Sequence, residues 1–213
     1  MSETAGATRQ LEPEDQARAN FYALLARLFR EAPDAALLSA IAGAPPLAPA
    51  ESVSTGDDPA SDLARAWDAL RAASKNAVVE AARDEYQTLF IGVGRSEVSL
   101  YASHYLGPRY ARPLAEIRAS LAERGLARRS AESEFEDHLA LVLETMRMLV
   151  AGDAERFPAE IAEQQSFFER HLVTWVQQCC NAITDSSVAN YYRYVAQFTS
   201  FFVAIEQASF AIV

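Results

Sequence analysis

Apolar residues recur along this chain at intervals of three and four, whereas the alternation of a half-buried strand never persists. That spacing places apolar side chains on one face of a helix, and the helix-favouring residues Ala, Leu, Glu, Arg and Gln dominate the same segments. Half of the 213 residues are hydrophobic, which is enough for one sizeable core. The sequence therefore predicts an all-α fold, a single-domain helical bundle spanning residues 1–213.

Prolines, glycines and capping residues set the expected ends of the helices. Proline suits the first turn of a helix but not its interior, and glycine commonly follows the last turn. Three other stretches are expected to be irregular: a flexible N-terminus at 1–11, a proline-rich mobile loop at 43–59 and a polar hinge at 127–133. The predicted helices run approximately from Pro13 to Arg30, Asp34 to Ala42, Pro59 to Phe90 with a break near Ser74, Pro113 to Arg124, Ser133 to Val150, Ile161 to Cys179 and Val188 to Ile205.

Charge and hydropathy narrow the class of partner. The formal net charge is −10 and no basic patch stands out, which argues against a nucleic-acid partner. A cationic partner fits this charge, although solubility alone is the commoner reason for an acidic chain. No run of about 18 uncharged apolar residues occurs, and the first residues lack the pattern of a secretory signal. The sequence predicts no membrane span and a cytoplasmic location.

The residue types that commonly hold metals form no ligand pattern. Cys179 and Cys180 are adjacent, and neighbouring cysteines rarely satisfy disulfide geometry or supply a zinc site. Both are predicted to be small core or interface residues. The three histidines occur at no recognised metal-ligand spacing; they are His104, His138 and His171. The sequence predicts neither a metal nor a cofactor.

An acidic and aromatic segment surrounds the glycines that follow Phe90. Glu85, Glu97, Tyr101 and Tyr105 combine carboxylates with aromatic rings, as a groove for a cationic and partly apolar segment requires. Packing of any one of these rings against the core is the commoner explanation. The segment is a candidate peptide-binding surface.

Asp137 and His138 form an adjacent acid and imidazole at a predicted helix start, within its first turn. One explanation is that Asp137 only complements the positive end of the helix dipole. Another is that the pair holds an arginine or a backbone carbonyl of a bound peptide. A third is a small hydrolase that uses this pair with Glu144, although no nucleophile with an oxyanion device is apparent.

Four separated stretches resemble the TorD/DmsD family of cytoplasmic chaperones, which serve exported molybdoenzymes. They occur in the family's order and cover the chain from about Arg18 to Glu206. The stretches are RANFYALLARLF from Arg18, EYQTLFIGVG from Glu85 with YASHYL from Tyr101, EDHL from Glu136, and QSFFERHL from Gln165.

The resemblance implies a helical chaperone without catalytic activity. Such a protein binds the twin-arginine signal peptide, or another segment, of a molybdoenzyme catalytic-subunit precursor, and delays export until the cofactor is inserted. Asp137 and His138 match the family's position associated with signal-peptide binding. The family also implies a monomer or a domain-swapped dimer, for which the hinge at 127–133 is a plausible exchange point.

The sequence is consistent with two groups of client enzyme and with one alternative function. The run from Phe90 to Val98 resembles members linked to formate dehydrogenase, and reductases of N- or S-oxides are the other candidate clients. An alternative function is that of an assembly subunit, which docks on the mature enzyme instead of its signal peptide.

Overall fold

The computed structural model describes residues 11–47, 59–92, 96–107, 113–124, 135–153 and 156–212. These residues form ten α-helices and one π-helical turn, Gln87–Ile91, and the only β-type pairing among them is an isolated antiparallel bridge between Tyr101 and His138. The predicted all-α class is confirmed. The helices are α1 (Pro13–Arg30), α2 (Ala35–Gly43), α3 (Pro59–Asn76), α4 (Val79–Tyr86), α5 (Ala102–Leu106), α6 (Pro113–Glu123), α7 (Leu139–Ala151), α8 (Ile161–His171), α9 (Val176–Asp185) and α10 (Tyr191–Phe210).

Local sequence explains the first helices. Pro13 opens α1, with Glu14 and Asp15 at the positive end of the helix dipole, and the helix ends at Arg30 as predicted. Asp34 caps α2, because its Oδ1 accepts a hydrogen bond from the Leu37 amide at 2.7 Å. These ends are fixed by residues next to them in the chain.

One hydrophobic core joins the helices. The most extensive helix contacts are those of α1 with α7 and of α10 with α3. Cys179 and Cys180 are buried in this core with free thiols, as predicted. The largest fully buried side chains are Trp175, Tyr22, Tyr192, Phe29, Phe167, Phe168 and Phe198.

The predicted continuous helix from Ile161 to Cys179 is wrong, because a turn at 172–175 divides it into α8 and α9. The Trp175 indole Nε1 donates to the His171 carbonyl at 2.7 Å, so a side chain takes the acceptor that the next helical turn would use. The Trp175 amide instead donates to the Leu172 carbonyl at 3.3 Å. The apolar stripe continues across the turn, which is why spacing alone did not indicate it.

The last helix begins at Tyr191 and not at Val188, which lies exposed in the connection before it. A carboxylate from α4 receives the first amides of α10, as described below. None of the described helices combines the length and apolarity that crossing a membrane requires. The predicted flexible segment 1–11, loop 43–59 and hinge 127–133 lie mostly or wholly outside the described residues.

Candidate functional site

The loop after the π-helical turn is joined to the start of α7 by backbone hydrogen bonds. The Ala102 amide donates to the Asp137 carbonyl at 3.0 Å, and the Leu139 amide donates to the Leu100 carbonyl at 2.8 Å. Tyr101 and His138 face each other in the resulting bridge. We call this contact between residues 99–103 and 135–139 the loop–helix junction.

The predicted placement of Asp137 and His138 within a helical first turn is wrong. Helix α7 starts at Leu139, His138 is its N-cap, and Asp137 precedes the helix. The reason is the junction itself, since its hydrogen bonds hold the backbone of 137–139 against the loop. The predicted capping residue Ser133 lies outside the described residues.

Asp137 is only 2% exposed, so its carboxylate faces the protein. Its Oδ2 accepts a hydrogen bond from the Ser103 amide at 3.1 Å, within the first turn of α5. In the part of the chain that the structure describes, no other group donates to this carboxylate. Asp137 therefore fastens the short helix α5 to the start of α7.

His138 is buried and caps α7 through its ring. Its Nδ1 accepts from the Ala140 amide at 3.2 Å, which places the proton of the neutral imidazole on Nε2. Burial, together with the positive charge of Arg30, lowers the pKa of His138 to about 4, although the charge of Asp137 opposes the shift. The imidazole is neutral at neutral pH.

This neutral imidazole predicts that acid destabilises the fold. The pKa of His138 is about 4 when folded and about 6.5 when unfolded, so the unfolded state takes up the proton first as the pH falls. The stabilisation is complete above pH 6.5 and is lost between pH 6.5 and 4; the loss amounts to about 2 kcal/mol at pH 5. Urea unfolding at pH 7 and pH 5 should show this loss. His138→Asn keeps a capping acceptor but no titratable ring; an equal acid loss in this variant would contradict the assignment.

The two predicted tyrosines are both half-buried but have different partners. Tyr101 is half-buried, with its ring edge-on to that of His138 at 4.9 Å between centroids. Tyr105 donates its hydroxyl to the Ser99 carbonyl at 2.8 Å and stacks on Trp175 with centroids 5.7 Å apart. Burial and the adjacent Cys179 raise the pKa of Tyr105 well above its ordinary value, so it remains a neutral donor.

The two predicted carboxylates lie at the connection between α9 and α10. Glu97 is exposed and accepts from the Ser186 hydroxyl at 2.6 Å. Glu85 is buried and accepts from the amides of Asn190, Tyr191 and Tyr192 at 2.8, 2.9 and 2.8 Å. The structure thus brings Tyr101, Asp137 and His138 together, with Tyr105 bound to Ser99 of the same loop, whereas Glu85 serves as the cap of α10.

An open groove lies beside Glu85, with a volume of about 430 Å³. Its walls include the exposed side chains of Val78 and Val188 and the carboxylate-bearing residue Asp84. Sequence reasoning missed both valines, because Val78 was predicted inside a helix and Val188 at the start of one, whereas the structure places both in connections between helices. No local signal distinguishes them from core valines.

Phe135 is a second residue that sequence reasoning missed. It is 53% exposed at the edge of the junction, and its ring lies 6.5 Å from that of Tyr101 in an edge-on arrangement. An aromatic residue within an acidic run, directly before a helix start, is the signal that could have indicated it.

The side chains considered for metal binding and hydrolysis have other partners. His171 shares a hydrogen bond with the Ser120 hydroxyl at 2.8 Å, and Glu144 accepts from Arg147 at 2.8 Å. Within the described residues, no group of three His, Cys, Asp or Glu side chains is arranged to hold a metal ion.

Comparison with known proteins identifies the family. A search of curated proteins finds no match. The model of the nitrate reductase delta subunit family matches residues 57–181, more than half of the chain, and this range contains both the junction and Glu85. That family is the TorD/NarJ-type group of molybdoenzyme chaperones, as the resemblance implied. The chain therefore belongs to the nitrate reductase delta subunit family of molybdoenzyme maturation chaperones.

Proposed function

We propose that this chain is a cytoplasmic chaperone that binds the twin-arginine signal peptide of an exported molybdoenzyme's catalytic subunit and holds it until the cofactor is inserted. The proposed binding surface is the loop–helix junction, with Tyr101, Tyr105, Asp137 and His138. Glu97 and Glu85, whose carboxylates contact the α9–α10 connection, belong to the same proposal.

The observation that carries this proposal is the Tyr101–His138 contact. It presents a half-buried phenol ring beside a neutral imidazole, on a backbone that hydrogen bonds already hold in place. A preformed surface of this kind loses little conformational entropy on binding. Burial of the apolar stretch of the peptide supplies most of the affinity, and the net charge of −10 steers its arginines towards the protein.

The contacts of Asp137 and His138 favour binding over hydrolysis. A general base needs a ring nitrogen that faces a nucleophile, and an acid that orients the ring. Here the Nδ1 of His138 accepts from the Ala140 amide, and the Asp137 carboxylate accepts from the Ser103 amide. In these contacts the Asp137 carboxylate does not orient the His138 ring, as the acid beside a general base would.

Titration calorimetry tests the proposed function directly. The 213-residue chain is titrated with synthetic twin-arginine signal peptides from the exported molybdoenzymes of the same genome, including any formate dehydrogenase or N- or S-oxide reductase. We expect saturable binding of at least one peptide and no binding of its scrambled version. Absence of binding across the whole set would overturn the proposal.

Co-purification with the client enzyme distinguishes an assembly subunit from a signal-peptide chaperone. An assembly subunit would co-purify with the folded enzyme after its signal peptide is deleted. A signal-peptide chaperone would lose most of the enzyme in that experiment. Retention of the truncated enzyme at the level of the intact precursor would therefore favour docking on the mature protein.

A further inference from the structure

Three rings form a continuous row at the junction. Phe135 lies edge-on to Tyr101, and Tyr101 lies edge-on to His138, with centroids 6.5 and 4.9 Å apart. The row is buried at His138 and reaches solvent at Phe135, which is 53% exposed. When a partner covers an exposed phenylalanine that continues a buried aromatic row, the free energy of the complex falls, because apolar area leaves water.

Two carboxylates next to this row are already engaged. Glu136 is 9% exposed and forms an ion pair with Arg118 at 3.0 Å. Asp137 is 2% exposed and receives the Ser103 amide. The carboxylates of these two residues are therefore occupied within the protein, and the most exposed ring of the row is that of Phe135. A neutral, apolar side chain fits such a ring, because the contact removes apolar area from water.

We infer that Phe135 and Tyr101 form the subsite for the apolar part of the bound signal peptide, and that Asp137 is a positioning residue and not the receptor of an arginine. This inference rests on the proposed function and deepens it, because it states which part of the peptide the junction receives. The partner is an extended or helical segment of uncharged aliphatic residues that follows the arginines.

Asp137 sets the position of Tyr101 through two hydrogen bonds. Its carbonyl receives the Ala102 amide at 3.0 Å and its Oδ2 receives the Ser103 amide at 3.1 Å, immediately after Tyr101 in the chain. Removal of the side chain takes away the second of these hydrogen bonds, which loosens the first turn of α5 next to the ring that contacts Phe135. Asp137 thus affects binding without contact with the peptide.

Calorimetry with three synthetic peptides tests the apolar subsite. The parent peptide carries two adjacent arginines followed by a stretch of leucines and alanines; in the second peptide the arginines are glutamines, and in the third the leucines are serines. We expect Phe135→Ala to weaken binding of the parent and the arginine-free peptide by about tenfold, and to have no further effect on the serine peptide. The matched control is Phe157→Ala, which removes a 77% exposed phenylalanine from the connection after α7 and should bind like wild type.

The possible outcomes separate this inference from the function on which it rests. If wild type binds the parent peptide and Phe135→Ala binds it equally well, the subsite is wrong and the proposed function stands. An equal loss for the serine peptide would also exclude the subsite. If wild type binds the genomic signal peptides but none of these three, the subsite is wrong; if it binds neither set, the proposed function fails, and this inference fails with it.

Two substitutions test the positioning role of Asp137. Asp137→Asn keeps an oxygen that can accept from the Ser103 amide, whereas Asp137→Ala does not. We expect the asparagine variant to bind the parent peptide like wild type, and the alanine variant to bind it more weakly. The losses in binding free energy from Asp137→Ala and Tyr101→Ala should not add in the double variant. If both variants weaken binding equally, and the loss disappears with the arginine-free peptide, then the carboxylate contacts an arginine and the positioning role is wrong.

Discussion

Replacement of Glu206 by alanine should lower the free energy of unfolding by about 3–5 kcal/mol. Glu206 is 2% exposed on α10, and both of its oxygens are engaged by α1. Arg18 donates to it in a fork, from Nε at 2.8 Å and from Nη2 at 2.9 Å, and the Tyr22 hydroxyl donates at 2.8 Å. Alanine leaves the phenol without its acceptor and Arg18 with Asp15 as its one carboxylate partner among the described residues. Urea unfolding followed by circular dichroism measures the loss.

An exposed ion pair on α1 provides the control. Glu31 lies 3.8 Å from Arg27, and both side chains are largely exposed. Glu31→Ala should change the free energy of unfolding by less than about 0.5 kcal/mol, because water screens such pairs. If Glu206→Ala proved as mild as Glu31→Ala, the buried network would not link α1 to α10 in the way that the geometry indicates.

Helix ends that depend on neighbouring residues are predictable from this sequence. Pro13 and Arg30 bound α1 in both the prediction and the structure, and Asp34 caps α2. Ends that depend on distant residues are not predictable in this way. The turn after His171 requires the indole of Trp175 to take a backbone carbonyl, and the apolar spacing gives no sign of it.

In the candidate site, too, some features are predictable from the sequence and others depend on residues distant in the chain. The sequence indicated Tyr101, Asp137 and His138, and the structure brings them to one junction although 36 residues separate Tyr101 from Asp137 in the chain. It could not indicate how the carboxylate points, because the Ser103 amide competes with solvent for it only in the folded state. Phe135 was missed because the type of a residue does not determine whether its side chain is exposed.

Glu85→Ala should cost about 3 kcal/mol of folding free energy, because one charged side chain satisfies three amides at the start of α10. The amides belong to residues more than 100 positions later in the chain, so Glu85 closes the fold between α4 and its last helix. Hydrogen bonds to a carboxylate are stronger than those to a neutral acceptor. Glu85→Gln should therefore recover only part of the loss, since its amide nitrogen cannot accept.

The neighbouring carboxylate of Asp84 separates the structural role of Glu85 from a role in peptide binding. Asp84 is exposed and lines the same groove, so Asp84→Ala should leave the stability within about 0.5 kcal/mol of wild type. Thermal unfolding of both variants, followed by peptide titration at a temperature where each is fully folded, gives the comparison. If Glu85 acts only as a cap, folded Glu85→Ala binds the signal peptide like wild type. Lost binding with unchanged stability would instead show that the carboxylate faces the peptide and that the amides of α10 have other acceptors.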